Sequence, residues 1–244
     1  MTAVRLALLV WLLLAHPLDA QEISLSLGEG ESLAQRSVHL IALITVLSIV
    51  PGLAIMVTCF PFIVTVLSIL RQGLGLQQAP PNMLIISLAM FLTWFVMDPV
   101  LTEAWAAGIG PFSRAEIDMA TAFEETVAPF RGFMALRIDP ATFATMEALR
   151  PDAGTAAPEA LAQAPLSLLV PSFLLSEIQR AFEIGFLIYL PFLIIDLVVS
   201  AILMSMGMMM VPPAVVSLPF KLAFFVVADG WSLLAAALVR SYLT

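Results

Sequence analysis

The chain has 244 residues, 61% of them hydrophobic and only 11% charged, with a net charge of −8. Soluble domains carry roughly a quarter charged residues, so this composition points to an integral membrane protein. The acidic balance provides no basic patch for phosphates, which argues against nucleic acid as a partner, and the single cysteine, Cys59, rules out an internal disulfide.

Residues 1–20 read as an export signal. Arg5 is the lone positive charge, residues 6–15 form the apolar core, and Leu18-Asp19-Ala20 precedes a cut at Gln21. The apolar part is too short to span a bilayer, which takes about 20 residues. An uncleaved anchor is the alternative, and either way the N-terminus is directed across a membrane. Residues 21–37 are then a short acidic segment, expected to be mobile.

A first apolar hairpin is expected over residues 38–107. The 34 residues between Arg36 and Arg71 carry no formal charge. That run exceeds one straight crossing of a hydrocarbon core about 30 Å thick. Pro51-Gly52 and Pro61 interrupt it, so a kinked helix or two shorter pieces are expected. A second apolar segment covers 83–107, interrupted at Asp98-Pro99, and Gly73, Gly75 and Pro80-Pro81 make the turn between them.

Residues 108–165 change character, with eight carboxylates, four arginines and six prolines. They read as a small polar insert of short helices facing water. A second apolar hairpin follows over 166–244. Its first half opens amphipathically, with Glu177 and Arg180 three apart on one helical face and Glu183 three further on. After Asp196 come 24 uncharged residues, up to Lys221. Lys221 and Asp229 are eight apart, about two turns, and so are expected to share a helix face.

The two halves of this hairpin are joined by Met204-Ser205-Met206-Gly207-Met208-Met209-Met210, five of the thirteen methionines in seven uncharged residues, with Pro212 and Pro213 just beyond. Thioethers are flexible and lack strong hydrogen-bonding groups, so such a turn repacks easily. It suits either a deformable seal or plain core filler at a helix end. The turn over 71–82 has one positive charge and no negative one, which places it in the cytoplasm. The methionine turn then faces the cytoplasm too, while the N-terminal segment and the insert lie outside. Arg240, on the outer side, runs against this orientation.

No HExxH, nucleophile elbow, glycine-rich phosphate loop or CxxC occurs, so no catalytic, cofactor-binding or metal-ligating residues are assigned and an enzyme is not expected. The charges inside apolar segments, Asp98, Asp196, Lys221 and Asp229, are costly unless paired or wet. Lys221 is expected to pair with Glu177 or Asp196, between helices or between subunits.

In the C-terminal third, Phe192-Leu193-Ile194-Ile195-Asp196-Leu197-Val198-Val199, the methionine run with Val211-Pro212-Pro213, Leu218-Pro219-Phe220-Lys221 and Ala228-Asp229-Gly230-Trp231 together resemble the FliP family, the flagellar branch of the type III secretion export-gate subunits (FliP/SctR-like). Pro171-Ser172-Phe173, Ser176-Glu177, Ala181-Phe182-Glu183-Ile184-Gly185-Phe186, Pro61-Phe62-Ile63 and Val66-Leu67-Ser68-Ile69-Leu70-Arg71 extend the likeness over roughly residues 40–231. It is weakest in the insert, where 150–165 matches no family pattern.

The resemblance implies a homo-oligomeric ring, joined by two smaller membrane subunits (FliQ-like and FliR-like), around a passage for unfolded export substrates. It implies that Met206, Met208, Met209 and Met210 line a gasket in that passage, and that the hairpins pack partly above the bilayer plane. It also implies residence in the bacterial inner membrane, at the flagellar basal body. Physics agrees on the ring, since one chain of four apolar segments cannot enclose a polypeptide-wide pore but rotated copies can. The alternatives are a solute or ion transporter with the intramembrane acids as a relay, and an injectisome homologue of the same gate. The export signal and Leu218-Pro219-Phe220-Lys221 favour the flagellar version.

Overall fold

A computed structural model describes residues 33–76, 80–150 and 161–243. The export signal, most of the acidic segment and residues 151–160 of the insert lie outside the described residues. The chain divides into two units, Met1–Ser48 and Ile49–Thr244. The described part is helical, with no strand among the described residues.

Helix α1, Leu33–Met56, carries the long uncharged run through Pro51 without ending there. Its outward apolar side chains include Ile41, Ile44 and Leu47, each 65% exposed. The expected break comes later, at residues 57–59. There the Thr58 hydroxyl donates to the Ile55 carbonyl and accepts from Phe60 N–H, and Pro61 sits in the first turn of α2, Phe60–Gly73. Proline suits that position because its missing N–H has no partner there anyway.

Helix α2 is the heart of the core: Phe62, Ile63, Val66, Leu67 and Leu70 are at most 1% exposed. That pattern buries two adjacent stripes of the helix, as an element enclosed by neighbours must. Helix α3, Asn82–Ala104, runs through Pro99 and continues by a π-helical turn, Trp105–Ile109, to Ser113, making one apolar stretch of 32 residues. The expected interruption at Asp98-Pro99 does not end it. Gly108 in the π turn lets the insert approach closely, since a Cβ there would meet Thr126 Oγ1 at 2.0 Å and the Ala122 carbonyl at 2.7 Å.

The insert is built from α4, Met119–Arg137, and α5, Pro140–Ala148. Both start on an aspartate whose carboxylate accepts a backbone N–H: Asp118 from Ala120, and Asp139 from Thr142 at 2.8 Å. This is the usual chemistry of a helix start, and it explains why these short polar helices form. Arg131 then donates to the carbonyls of Ala162 and Ala164, fastening α4 to the segment leading into α6, Leu166–Ser205.

At 40 residues α6 is about 60 Å long, twice the thickness of a hydrocarbon core. It crosses α2 where Gly185 faces Ile69, with room for no Cβ: one placed there would lie 2.4 Å from Ile69 Cδ1. Helix α7, Pro213–Val227, and helix α8, Gly230–Leu243, form a pair bent by 62°. The core joins α2 to Ile85, Ala89, Phe192, Phe225 and Leu238, and a smaller cluster of Met134, Ile138, Leu169 and Phe173 seats the insert on α6.

Among the described residues, three helices are long and apolar enough to cross a membrane, or four if α7 and α8 form one span. Across the 18-residue apolar core of each, only 22% of the residues of α3 and 17% of those of α6 are buried within the chain. Phe91, Trp94 and Phe95 on α3 are 76%, 66% and 64% exposed. Contiguous apolar surface on this scale needs lipid or protein to cover it.

Candidate functional site: a methionine turn and two buried polar clusters

The methionine turn caps α6. Met208 N–H donates to the Leu203 carbonyl and Gly207 N–H to the Met204 carbonyl, with Gly207 in the left-handed region at φ +74°. This is a Schellman closure, and glycine is the residue that adopts its left-handed step without strain. The chain beyond it projects past the helix end. Met206 is 62% exposed, Met208 40%, Met209 84% and Met210 97%. These side chains are therefore not core filler within this chain.

The inner polar cluster lies at the α6–α7 crossing. Lys221 Nζ stands 2.6 Å from Asp196 Oδ2 and 3.0 Å from the Gly73 carbonyl. Ser217, one turn before Lys221, donates to Asp196 Oδ1 at 2.5 Å. Lys221 and Ser217 are buried, whereas the Asp196 side chain keeps 29% exposure. A lone ammonium in an apolar helix is thus met by one carboxylate and one carbonyl, and the carboxylate by two donors. Of the two expected partners Lys221 takes Asp196, and the pair links helices of the same chain.

Glu177 belongs to an outer cluster. It is fully buried and accepts from Arg137 Nε at 3.0 Å and from the Tyr242 hydroxyl. Arg137 also donates to the Ser241 carbonyl at 2.8 Å, and its guanidinium lies 4.0 Å from the centre of the Tyr242 ring. Its remaining nitrogen, Nη2, is buried without a hydrogen-bond partner. Next to Glu177, Ser176 accepts from Asp139 N–H at 2.9 Å, so the insert, α6 and α8 meet in one polar knot. Arg137 and Tyr242 carried no distinguishing signal in the sequence. Ser217 could have been found from its position one turn before the lone lysine.

The expected face of Glu177, Arg180 and Glu183 does not hold together. Glu177 turns inward while Glu183 is exposed and accepts from Gln179 at 3.2 Å. Six residues along a helix is about 600°, which leaves the two glutamates on different sides. Asp229 and Lys221 do not share a helix face either. Helix α7 ends at Val227, and Asp229 takes φ +49°, exposed, at the α7–α8 bend. Aspartate tolerates the left-handed region better than most residues. Gly230 after it has no space for a side chain, because a Cβ would meet the Phe225 ring at 2.2 Å. Asp98 is exposed on α3.

Outside the membrane segments, the backbone N–H and hydroxyl of Thr142 hold the Asp139 carboxyl below the usual aspartate range. The Thr121 hydroxyl does the same for Asp118. Both bonds favour the charged form.

Together these features define an all-helical membrane protein of kinked hairpins with a polar insert and a bare thioether turn. The sequence profile of the FliP family matches residues 43–238. The chain is 47% identical over 220 residues to the flagellar biosynthetic protein FliP of Caulobacter vibrioides, covering 90% of this chain and 82% of that relative. To the flagellar biosynthetic protein FliP of Bacillus subtilis it is 44% identical over 209 residues, covering 84% and 92%. To that of Aquifex aeolicus it is 40% identical over 240 residues, covering 98% and 99%. The chain belongs to the FliP family.

Proposed function

We propose that this protein is a pore-forming core subunit of the flagellar type III protein export apparatus, required for flagellum assembly and not an enzyme. Several copies form a ring in the bacterial inner membrane at the basal body, with the FliQ-like and FliR-like subunits, around a passage for unfolded substrates. Each copy contributes Met206 and Met208 to Met210 to one constriction. The observation that carries this reading is the methionine turn, uncharged and uncovered by its own chain. Thioethers from several copies close a dry seal against ions, and they yield to a passing polypeptide without breaking a strong hydrogen bond. The extensive bare apolar surface of α3 and α6 supports cover by other subunits and lipid. The transporter alternative has less to rest on, because Asp196 is already held by Lys221 and Ser217.

The test is the triple variant Met208→Ala, Met209→Ala, Met210→Ala. Core methionines replaced by alanine cost about 2–5 kcal/mol each, but side chains this exposed have little burial to lose. The complex should therefore assemble, as seen by its detergent-extracted mass, while membrane conductance rises. Intact assembly without a leak rejects the gate, and failed assembly returns the turn to a packing role.

A further inference from the structure

The methionines of this chain fall into sharply different environments. Met97 and Met134 are 1% exposed, whereas Met209 and Met210 are 84% and 97% exposed. A thioether has no proton to lose, so its attack on an electrophilic oxidant is governed by access to the sulfur. The one thiol, Cys59, is 0% exposed and does not compete. Met83 and Met90 are exposed on α3, but within its membrane-length apolar stretch, while Met119, 74% exposed, lies on the polar insert.

We infer that Met209 and Met210 are a modification site, converted to methionine sulfoxide by oxidants of the peroxide class, and that this conversion opens the seal. The sulfur lone pair attacks one peroxide oxygen, the O–O bond breaks, and the second oxygen leaves as water after proton transfer. Sulfur loses two electrons and the peroxide gains them, so no further reactant is needed. The product places a strongly polar S=O acceptor in a run that has no charge and no hydrogen-bonding side chain other than Ser205. A dry constriction lined this way admits water, and with it ions. The fold survives the change, because the turn is shaped by the backbone bonds of Gly207 and Met208 rather than by thioether packing. Oxidation of Met119 adds one polar group to a face that is polar already. The chemistry is reversible by methionine sulfoxide reductases, so the site can return to its sealed state. The leak rests on the gate reading above; the site preference rests on the exposure of the two side chains, which in a closed seal still face the passage on one side.

The experiment uses membrane vesicles carrying the assembled complex, treated with hydrogen peroxide. Sulfoxides are mapped by peptide mass spectrometry while conductance is followed in parallel. Met209 and Met210 should oxidise at least about tenfold faster than Met97 and Met134, as expected where access controls the rate. Conductance should rise with their oxidation and fall after reductase treatment. The variant M209L/M210L, of similar side-chain volume and unable to form the sulfoxide, should lose the peroxide response whatever its own basal conductance. Oxidation of Met209 and Met210 no faster than of the buried pair overturns the inference and leaves the gate reading untouched. So does a peroxide response that persists in M209L/M210L. Full oxidation without a leak, in a protein whose triple alanine variant does leak, overturns it as well. If neither leaks, the gate reading falls with it.

Discussion

The two buried polar clusters solve the same electrostatic problem with different materials. The inner one joins Lys221, Asp196, Ser217 and the Gly73 carbonyl within the apolar hairpins, and its carboxylate retains 29% exposure. The outer one joins Arg137, Glu177 and Tyr242 across the insert, α6 and α8, and its carboxylate has none. A charge that keeps some water has a further way to be stabilised when its partner is lost, and a sealed one does not. The outer cluster should therefore be the more brittle of the two, although both hold helices together. They also lie far apart along α6. Glu177 and Asp196 are separated by 19 residues of that helix, about 28 Å, close to the thickness of a hydrocarbon core.

The largest expected effect comes from Glu177→Ala. It leaves Arg137 charged, largely buried and without its carboxylate partner, and should cost about 3–5 kcal/mol, measured by denaturant unfolding of the purified chain in detergent. Glu177→Gln should fall between that variant and the parent, because the amide still accepts a hydrogen bond but no longer neutralises the guanidinium. A loss no larger than that of the inner-cluster variant would erase the contrast between sealed and wetted carboxylates.

Lys221→Ala should cost less, about 1.5–3 kcal/mol, the range for hydrogen bonds to charged groups, because Asp196 keeps Ser217 and solvent. Exchanging the charges, Lys221→Asp with Asp196→Lys, sharpens the comparison. It should recover under half of the loss, since the Gly73 carbonyl would then face a carboxylate instead of an ammonium. Full recovery would show that the charge pair alone matters and that the carbonyl is incidental.

The smallest effect expected is a pH dependence at the edge of the outer cluster. Asp139 starts α5 and ties it to Ser176, and the Thr142 bonds depress its carboxyl below its ordinary value of 3.8. A depressed carboxyl contributes stability that is fully present above the unfolded-state pKa and is lost as pH falls through the folded one. The melting temperature should accordingly drop as pH falls below about 3.8, and Asp139→Asn should flatten part of that drop. Asp118 and Glu116 share the sign of the effect and keep the rest of the slope. An identical pH profile in Asp139→Asn would remove the cap from any part in seating the insert.

What could be read in the sequence follows the range of the interactions. The apolar segments and the proline-bounded break before α2 are local, and so was the isolation of Lys221 that demanded a nearby acid. The Arg137–Glu177 and Tyr242–Glu177 contacts span 40 and 65 residues, and nothing in the composition of the insert singles out Arg137 from its other arginines. Glu177 was visible as a charge near an apolar run, but its local spacing with Arg180 suggested a surface face rather than a buried knot. Pro99 and Asp229 misled in opposite directions. Pro99 has the chemistry of a helix stop and is carried inside a helix, while Asp229 has the spacing of a helical residue and stands past the helix end.

The Schellman closure of α6 separates the outline of the methionine turn from its lining. Gly207 and two main-chain hydrogen bonds fix where the loop goes, and no side chain beyond it is recruited for that task. The residues at 208–210 are in effect interchangeable upholstery on a rigid frame. Side chains at these positions can therefore be exchanged one at a time without redrawing the path of the loop.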